Sequence, residues 1–437
     1  MGFRRSSRSS SRVESVSGYN DKPSALPSVR RHRPDYQIVL FIGLLMLIGL
    51  VLLYSISPAR VEVINANSNV ALDTTHFMER QLLNLGVGLT VFIGTAMVPP
   101  AFWRRWAGHI LIAGLGACLV LSFLGLFMDG GLVIKTNGAV RWFNLGVSSF
   151  QPSELLKFGF ILFGAVFLGR RVQQGNINSQ TETVLPMALL FGAAALLIIV
   201  FQKDMGTGIT LAGIMLAMLY AAGLNKRWLS IGAIAVVVAG VLLIVTAPHR
   251  IARVLTFLSP ADVSDASSYH INQALIALGS GGFFGKGLGQ GVQAFGYLPE
   301  ALNDSIFAIY GETFGFVGVI IIIVLFGALL RRLLKVMDTT VDPSLRLMVA
   351  GVFGLIATHV VVNIGAMIGV LPLTGVTLPF LSFGGTSLLF TMLGLGVVFA
   401  ISRYTTHQDI NKREDKNEAT ERRGRLGRSR YAGSSRY

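Results

Sequence analysis

The chain has 437 residues, 52% of them hydrophobic and 14% charged. Soluble domains carry about 25% charged residues, so a soluble globular enzyme is excluded and a polytopic membrane protein is indicated. The net charge of +15 is concentrated in the two ends, as expected beside an anionic cytoplasmic leaflet, and nucleic acid is not expected as a partner.

Residues 1–35 are rich in Ser and Arg and too poor in apolar side chains to bury a core, which predicts a disordered, basic cytoplasmic tail. The apolar run that follows is about a full bilayer long and lacks a small-residue cleavage site, so it reads as a signal anchor rather than a removable signal. A spanning helix needs about 20 apolar residues. Ten stretches satisfy that window: Gln37–Ser57, Gln81–Val98, Ala107–Phe127, Ser153–Gly169, Val184–Phe201, Met205–Gly223, Trp228–Ala247, Ser305–Leu330, Leu347–Leu371 and Thr386–Ser402. The expected fold is an all-α polytopic membrane domain over 36–403, followed by a second disordered tail over 404–437. The single cysteine, Cys118, has no partner for a disulfide or a thiolate metal site.

Positive charge orients the bundle. With both termini cytoplasmic, 28 of the 37 Lys and Arg residues fall inside. The cytoplasmic loops are then short, and the long loops face outward. The largest, 248–304, joins the seventh and eighth spans. Work done on that face has no cytosolic nucleotide to draw on.

Four outward stretches carry unusual chemistry. In "NGAVRWFNLGVSSFQPSELLKF" (137–158), Pro152 suits a first helical turn, and Glu154 and Lys157 lie three apart on one helix face. That pair is either a local ion pair at a helix start or a functional pair facing a wet cavity. Arg141 and Trp142 precede it, placed to meet an anionic head group, although Trp142 equally suits an interfacial belt. "QKDMGTG" (202–208) is a tight polar turn in which Lys203 and Asp204 punctuate and cap, or join the same cavity. "GSGGFFGKGLGQGVQ" (279–293) has seven glycines between Gly279 and Gly291 but fails the phosphate-loop pattern, and reads as a re-entrant or tightly folded segment. "GVTLPFLSFGGTS" (375–387) interrupts the last two spans and is expected to dip into the membrane.

The most informative stretch is "YLPEALNDSIFAIYGETFGF" (297–316). Asp304 sits where an N-cap would fall. Glu312 lies eight residues on, about 12 Å along the helix and within roughly 80° of the same face. A cap needs no second acid beneath it. Two acids opposite loops that hold Arg141, Lys157, Lys203, Arg250, Arg253 and Lys286 suggest a polar cavity opening outward and sideways, suited to an anionic lipid-linked substrate.

Taken together and in order, these stretches resemble the SEDS family (shape, elongation, division and sporulation proteins) over about Gly138 to Ser387. The wording "TLPFLSFGGTS" and the long tails resemble the division branch more than the elongation branch. The resemblance implies a peptidoglycan glycosyltransferase that polymerises lipid II on the outer face of the cytoplasmic membrane. It also implies a class B penicillin-binding protein as partner, within the divisome and its other membrane proteins. The family's essential aspartate falls on Asp304, its acid and lysine on Glu154 and Lys157, and its Arg-Trp on Arg141 and Trp142. One departure stands out: the family writes His-Thr before the aspartate and Phe after it, where this chain has Leu302, Asn303 and Ser305. A divalent cation, Mg or Mn, is the one cofactor left open, with Asp304 and Glu154 as candidate ligands. The rival readings are a lipid II flippase, an elongation-type polymerase and a non-catalytic scaffold.

Overall fold

The computed structural model describes residues 34–67, 72–127, 130–136, 139–146, 149–245 and 266–404. Nearly all of both expected tails, and Arg250 and Arg253, lie outside the described residues.

Helix forms at every one of the ten apolar stretches. In chain order these are α1 (Tyr36–Asn67), α2 (His76–Met97), α3 (Pro100–Phe127), α4 (Pro152–Gln173), α5 (Gln180–Phe201), α6 (Met205–Ala221) and α7 (Lys226–Val245). After α8 (Ala266–Ser280) come α9 (Ile306–Thr339), α10 (Pro343–Met367) and α11 (Gly385–Ser402). Among the described residues, six of them, α1, α3, α5, α9, α10 and α11, are long and apolar enough to cross a membrane, and α6 is a shorter apolar helix. The protein is therefore a multi-helix membrane protein, with fewer spans evident by composition than the ten expected. In α4, Glu154 and Lys157 fall within the apolar stretch, and Arg170 and Arg171 lie in its last turn.

Two elements depart from the all-α expectation and its open outer loops. A three-stranded antiparallel sheet, β1 (Val133–Thr136), β2 (Ala139–Asn144) and β3 (Ser149–Phe150), occupies the segment before α4 in the order β1-β2-β3. Its inward face, Val133 and Val140, packs on Leu121 of α3 and holds the sheet against the bundle. The loop of 248–304 also contains α8, which packs on α9.

Helices α10 and α11 form the centre, each 72% buried over its apolar window, whereas α5 is only 22% buried and leaves Leu185, Leu189, Leu196, Val200 and Phe201 exposed. Around that centre α4 packs on α3 and α10, α6 on α10, and α2 on α11. Membrane helices gain little from burying apolar surface against one another, so close backbone approach carries the packing. Where α3 meets α4, Gly114 abuts the backbone of Leu156 and Gly159 abuts that of Leu111, and a methyl at either would collide.

Candidate active site

Four loops meet at one end of the bundle, and hydrogen bonds tie them together. Arg141 of β2 donates from Nη2 to Lys203 O at 2.6 Å. Thr386, at the start of α11, donates to Ser149 O of β3 at 2.8 Å. Phe383 N donates to Leu302 O at 2.8 Å, which joins the 371–384 connection to the turn ahead of α9. Asn363 of α10 completes the join, its Nδ2 bridging Asp304 O and Val376 O at 2.7 Å each.

Asp304 is half-buried on this turn, its carboxylate beside Gly375. It forms no ion pair among the described residues. Neighbouring backbone N–H groups compensate its charge only in part, and the Ser305 hydroxyl oxygen lies 3.5 Å from Oδ1. Burial, with the nearby Glu300 charge second, pushes the carboxyl up to about 7. A carboxyl poised there changes protonation state close to neutral pH. Sequence alone leaves an N-cap role open, but Ser305 takes the cap position, without a side-chain bond to the helix.

Glu154 and Lys157 are both buried, at 5% and 2% exposure, and pair at 2.8 Å. Lys157 Nζ also lies 3.3 Å from His359 Nε2, and His359 Nδ1 lies 3.0 Å from Thr377 O. A lysine ammonium can only donate, so this geometry fits a neutral imidazole carrying its proton on Nδ1. His359 and Asn363, one helical turn apart on α10, therefore link the Lys157 pair and the Asp304 turn through one connection, at Thr377 and Val376. Neither His359 nor Asn363 stands out in the sequence as a site residue. The signal was their i, i+4 spacing on a span with no other strongly polar neighbour.

The remaining predicted residues separate into spent and unspent groups. Asp204 caps α6, accepting from Thr207 N at 3.0 Å and Thr207 Oγ1 at 2.8 Å, and takes a third bond from Gln151. Lys203 is exposed in the left-handed region (φ 54°) and offers its carbonyl, not its ammonium, to Arg141. Arg141 retains a buried Nε with no protein partner, a donor still available to an anion. Trp142 pairs in register with Ile134 and makes no hydrogen bond to the other site residues.

Glu312 does not share a cavity with Asp304. It is fully buried, and it accepts from Lys286 Nζ at 2.9 Å, Val292 N at 2.9 Å and Gln293 N at 3.2 Å. The glycine-rich segment thus folds back along α9, its Lys286 N and Gly287 N donating to Glu312 O and Thr313 O. Helix α9 admits this because it breaks at Gly315 (φ 65°, ψ −166°), a conformation that favours glycine. The carbonyls of Gly282 and Phe283 accept from Phe316 N and Val317 N, two of the N–H groups the break frees.

Among the described residues no three His, Cys, Asp or Glu side chains converge to hold a metal ion. The Glu154 oxygen that would ligate already faces the Lys157 ammonium.

A family model described as "Cell cycle protein", covering FtsW, RodA and SpoVE, matches residues 36–407. The chain belongs to this family. Stage V sporulation protein E of Bacillus subtilis is 36% identical over 87% of this chain and 100% of its own. A probable peptidoglycan glycosyltransferase FtsW of Thiomicrospira cyclica is 35% identical over 85% and 92%. Among solved structures, a chain of a complex described as "Structural coordination of polymerization and crosslinking by a peptidoglycan synthase complex" matches with TM-score 0.66 and 27% identity, covering 85% of this chain and 99% of that one. The rod shape determining protein RodA of Thermus thermophilus matches with TM-score 0.60 and 27% identity, over 86% and 98%. The relatives thus carry glycosyltransferase, sporulation and rod-shape names.

Proposed function

We propose that this protein is a peptidoglycan glycosyltransferase that polymerises lipid II on the outer face of the cytoplasmic membrane, and that it acts at the division septum. The observation that carries the reading is the uncommitted Asp304 carboxylate. Glu154, Asp204 and Glu312 each have their charge met by a cation or by N–H and O–H donors. Asp304 alone of the four has no cation beside it among the described residues and no close side-chain donor, only neighbouring backbone N–H groups and a 3.5 Å contact with Ser305 Oγ, and its carboxyl is poised near neutral pH. The relatives named as glycosyltransferases support the same class of chemistry.

Chain growth joins the 4-hydroxyl of one disaccharide to the anomeric carbon of another and releases undecaprenyl pyrophosphate. Asp304 takes the hydroxyl proton as general base. Arg141, with its unpartnered Nε, is the first cation for the leaving pyrophosphate, and Lys157 is the second, its orientation set by Glu154 and His359. Lys203, Asp204, Trp142 and Glu312 shape the loops around the lipid head groups. With ten spans and both ends cytoplasmic, this lip faces outward and the tails 1–35 and 404–437 lie inside. The division assignment rests on the "TLPFLSFGGTS" wording and the tails, and a class B penicillin-binding protein of the divisome is the expected partner.

The test is purified protein, with and without that transpeptidase, given labelled lipid II in vesicles. Polymer that disappears in Asp304→Ala supports the reading. Label that changes leaflet without polymer would instead make the protein a flippase, and neither activity would leave a scaffold.

A further inference from the structure

His270, on α8, approaches the Asp304 turn from a helix that no part of the mechanism above uses. Its Nε2 lies 2.6 Å from Ser305 Oγ. The Ser305 hydroxyl is fully buried and donates to Pro299 O at 2.8 Å, and a hydroxyl has one proton to give. The short contact therefore needs the proton on the imidazole, with Nε2–H donating to Oγ. Ser305 is further fixed by its own N–H on Glu300 O at 3.2 Å, and it opens α9 by accepting from Ala308 N at 3.0 Å. Asp304 consequently sits between two clamps. Asn363 grips its carbonyl from α10, and the residue after it is pinned to α8 through His270. The departure noted in the sequence gains a physical meaning here, since Ser305 stands where the family resemblance has Phe, and a phenyl ring could not accept this bond.

We propose that His270 is a positioning residue for Asp304, holding the 299–305 turn through Ser305 Oγ so that the carboxylate is aimed at the acceptor hydroxyl. The inference rests on Asp304 being the base. A base displaced by a fraction of an ångström loses rate while substrate affinity, set elsewhere on the lip, is unaffected.

The experiment measures lipid II polymerisation by the full-length protein with its transpeptidase partner, using His270→Leu, His270→Gln, Ser305→Ala and the Leu/Ala double variant, each melted in detergent to establish folding. His270→Leu and Ser305→Ala are expected to lower kcat by about tenfold, with KM for lipid II changed by no more than about twofold. A glutamine amide can donate from nearly the same point, so His270→Gln should recover to within about threefold of the parent. The double variant should be no slower than the worse single, because both changes break one link. Parent-level kcat in His270→Leu, no recovery in His270→Gln, or additive losses would overturn the proposal. If His270→Leu fails to fold, Ser305→Ala carries the comparison. Asp304→Ala separates the two failures: an active Asp304→Ala defeats the base assignment, and an inactive one beside an unimpaired His270→Leu defeats only the positioning role.

Discussion

Replacing Asp304 by asparagine should make the protein inactive and, above neutral pH, more stable. The carboxyl has an ordinary value of 3.8 and stands at about 7 in the fold, raised first by burial and then by the Glu300 charge. The protonated form is thus the one the folded state favours. Its contribution to stability is complete below pH 3.8 and is lost as pH rises through about 7. At pH 8 the ionised group costs the fold up to roughly 4 kcal/mol, less the part that water at the half-buried lip screens. A carboxamide in its place never ionises, so Asp304→Asn should melt higher than the parent at pH 8, by a margin that shrinks towards pH 5. Losing a general base removes about 10²- to 10⁴-fold in rate. The parent's polymerisation rate should climb about tenfold per pH unit up to a midpoint near 7 and then level. A vesicle assay of strand length against pH, run beside detergent melts of both proteins, reads all of this. Near-parent polymerisation by Asp304→Asn, or an acid limb centred near 4, would refute the reasoning.

Other perturbations test neighbouring parts. Glu300→Gln keeps the acceptor for Asn303 Nδ2 while removing the second-largest cause of the Asp304 shift, so the acid limb of the rate profile should move to lower pH. Lys157→Met strands Glu154 in the bundle and should cost about 3–5 kcal/mol by thermal melting; adding Glu154→Gln should return most of the stability, though not the polymerisation rate. Gly315→Ala places a methyl against the backbone of Phe283 and Gly285 in a conformation that disfavours it, at a cost of about 1–3 kcal/mol or more. Limited proteolysis should then cut within 281–293, where the parent resists.

How far the sequence discloses this molecule depends on whether a feature is local. Apolar runs locate all ten helical stretches because a span's length is written in consecutive residues. The cap at Asp204 follows from local spacing too, with Thr207 three residues on. The small sheet escapes notice because its strands are two to six residues long and their pairing is bulged at Ile134/Lys135. The role of Glu312 escapes because its partner, Lys286, is 26 residues away across a glycine-rich loop. Helical spacing then suggests companionship with Asp304, but the returning loop holds the Glu312 carboxylate on Lys286, Val292 N and Gln293 N instead. His359, 202 residues from Lys157, and His270, 35 from Ser305, are the same case: only the assembled bundle brings each to its partner.

The Lys286–Glu312 bridge also bears on how the chain enters the bilayer. A lone carboxylate inside a hydrophobic helix opposes insertion by about 2.5–3.5 kcal/mol. Lys286 leaves the ribosome first and has no counter-charge until Glu312 follows it. Lys286 is 32% exposed and Glu312 fully buried, so the acid's charge is met only where the glycine-rich segment has folded back along α9. The acid belongs to the making of the membrane domain as much as to its finished form.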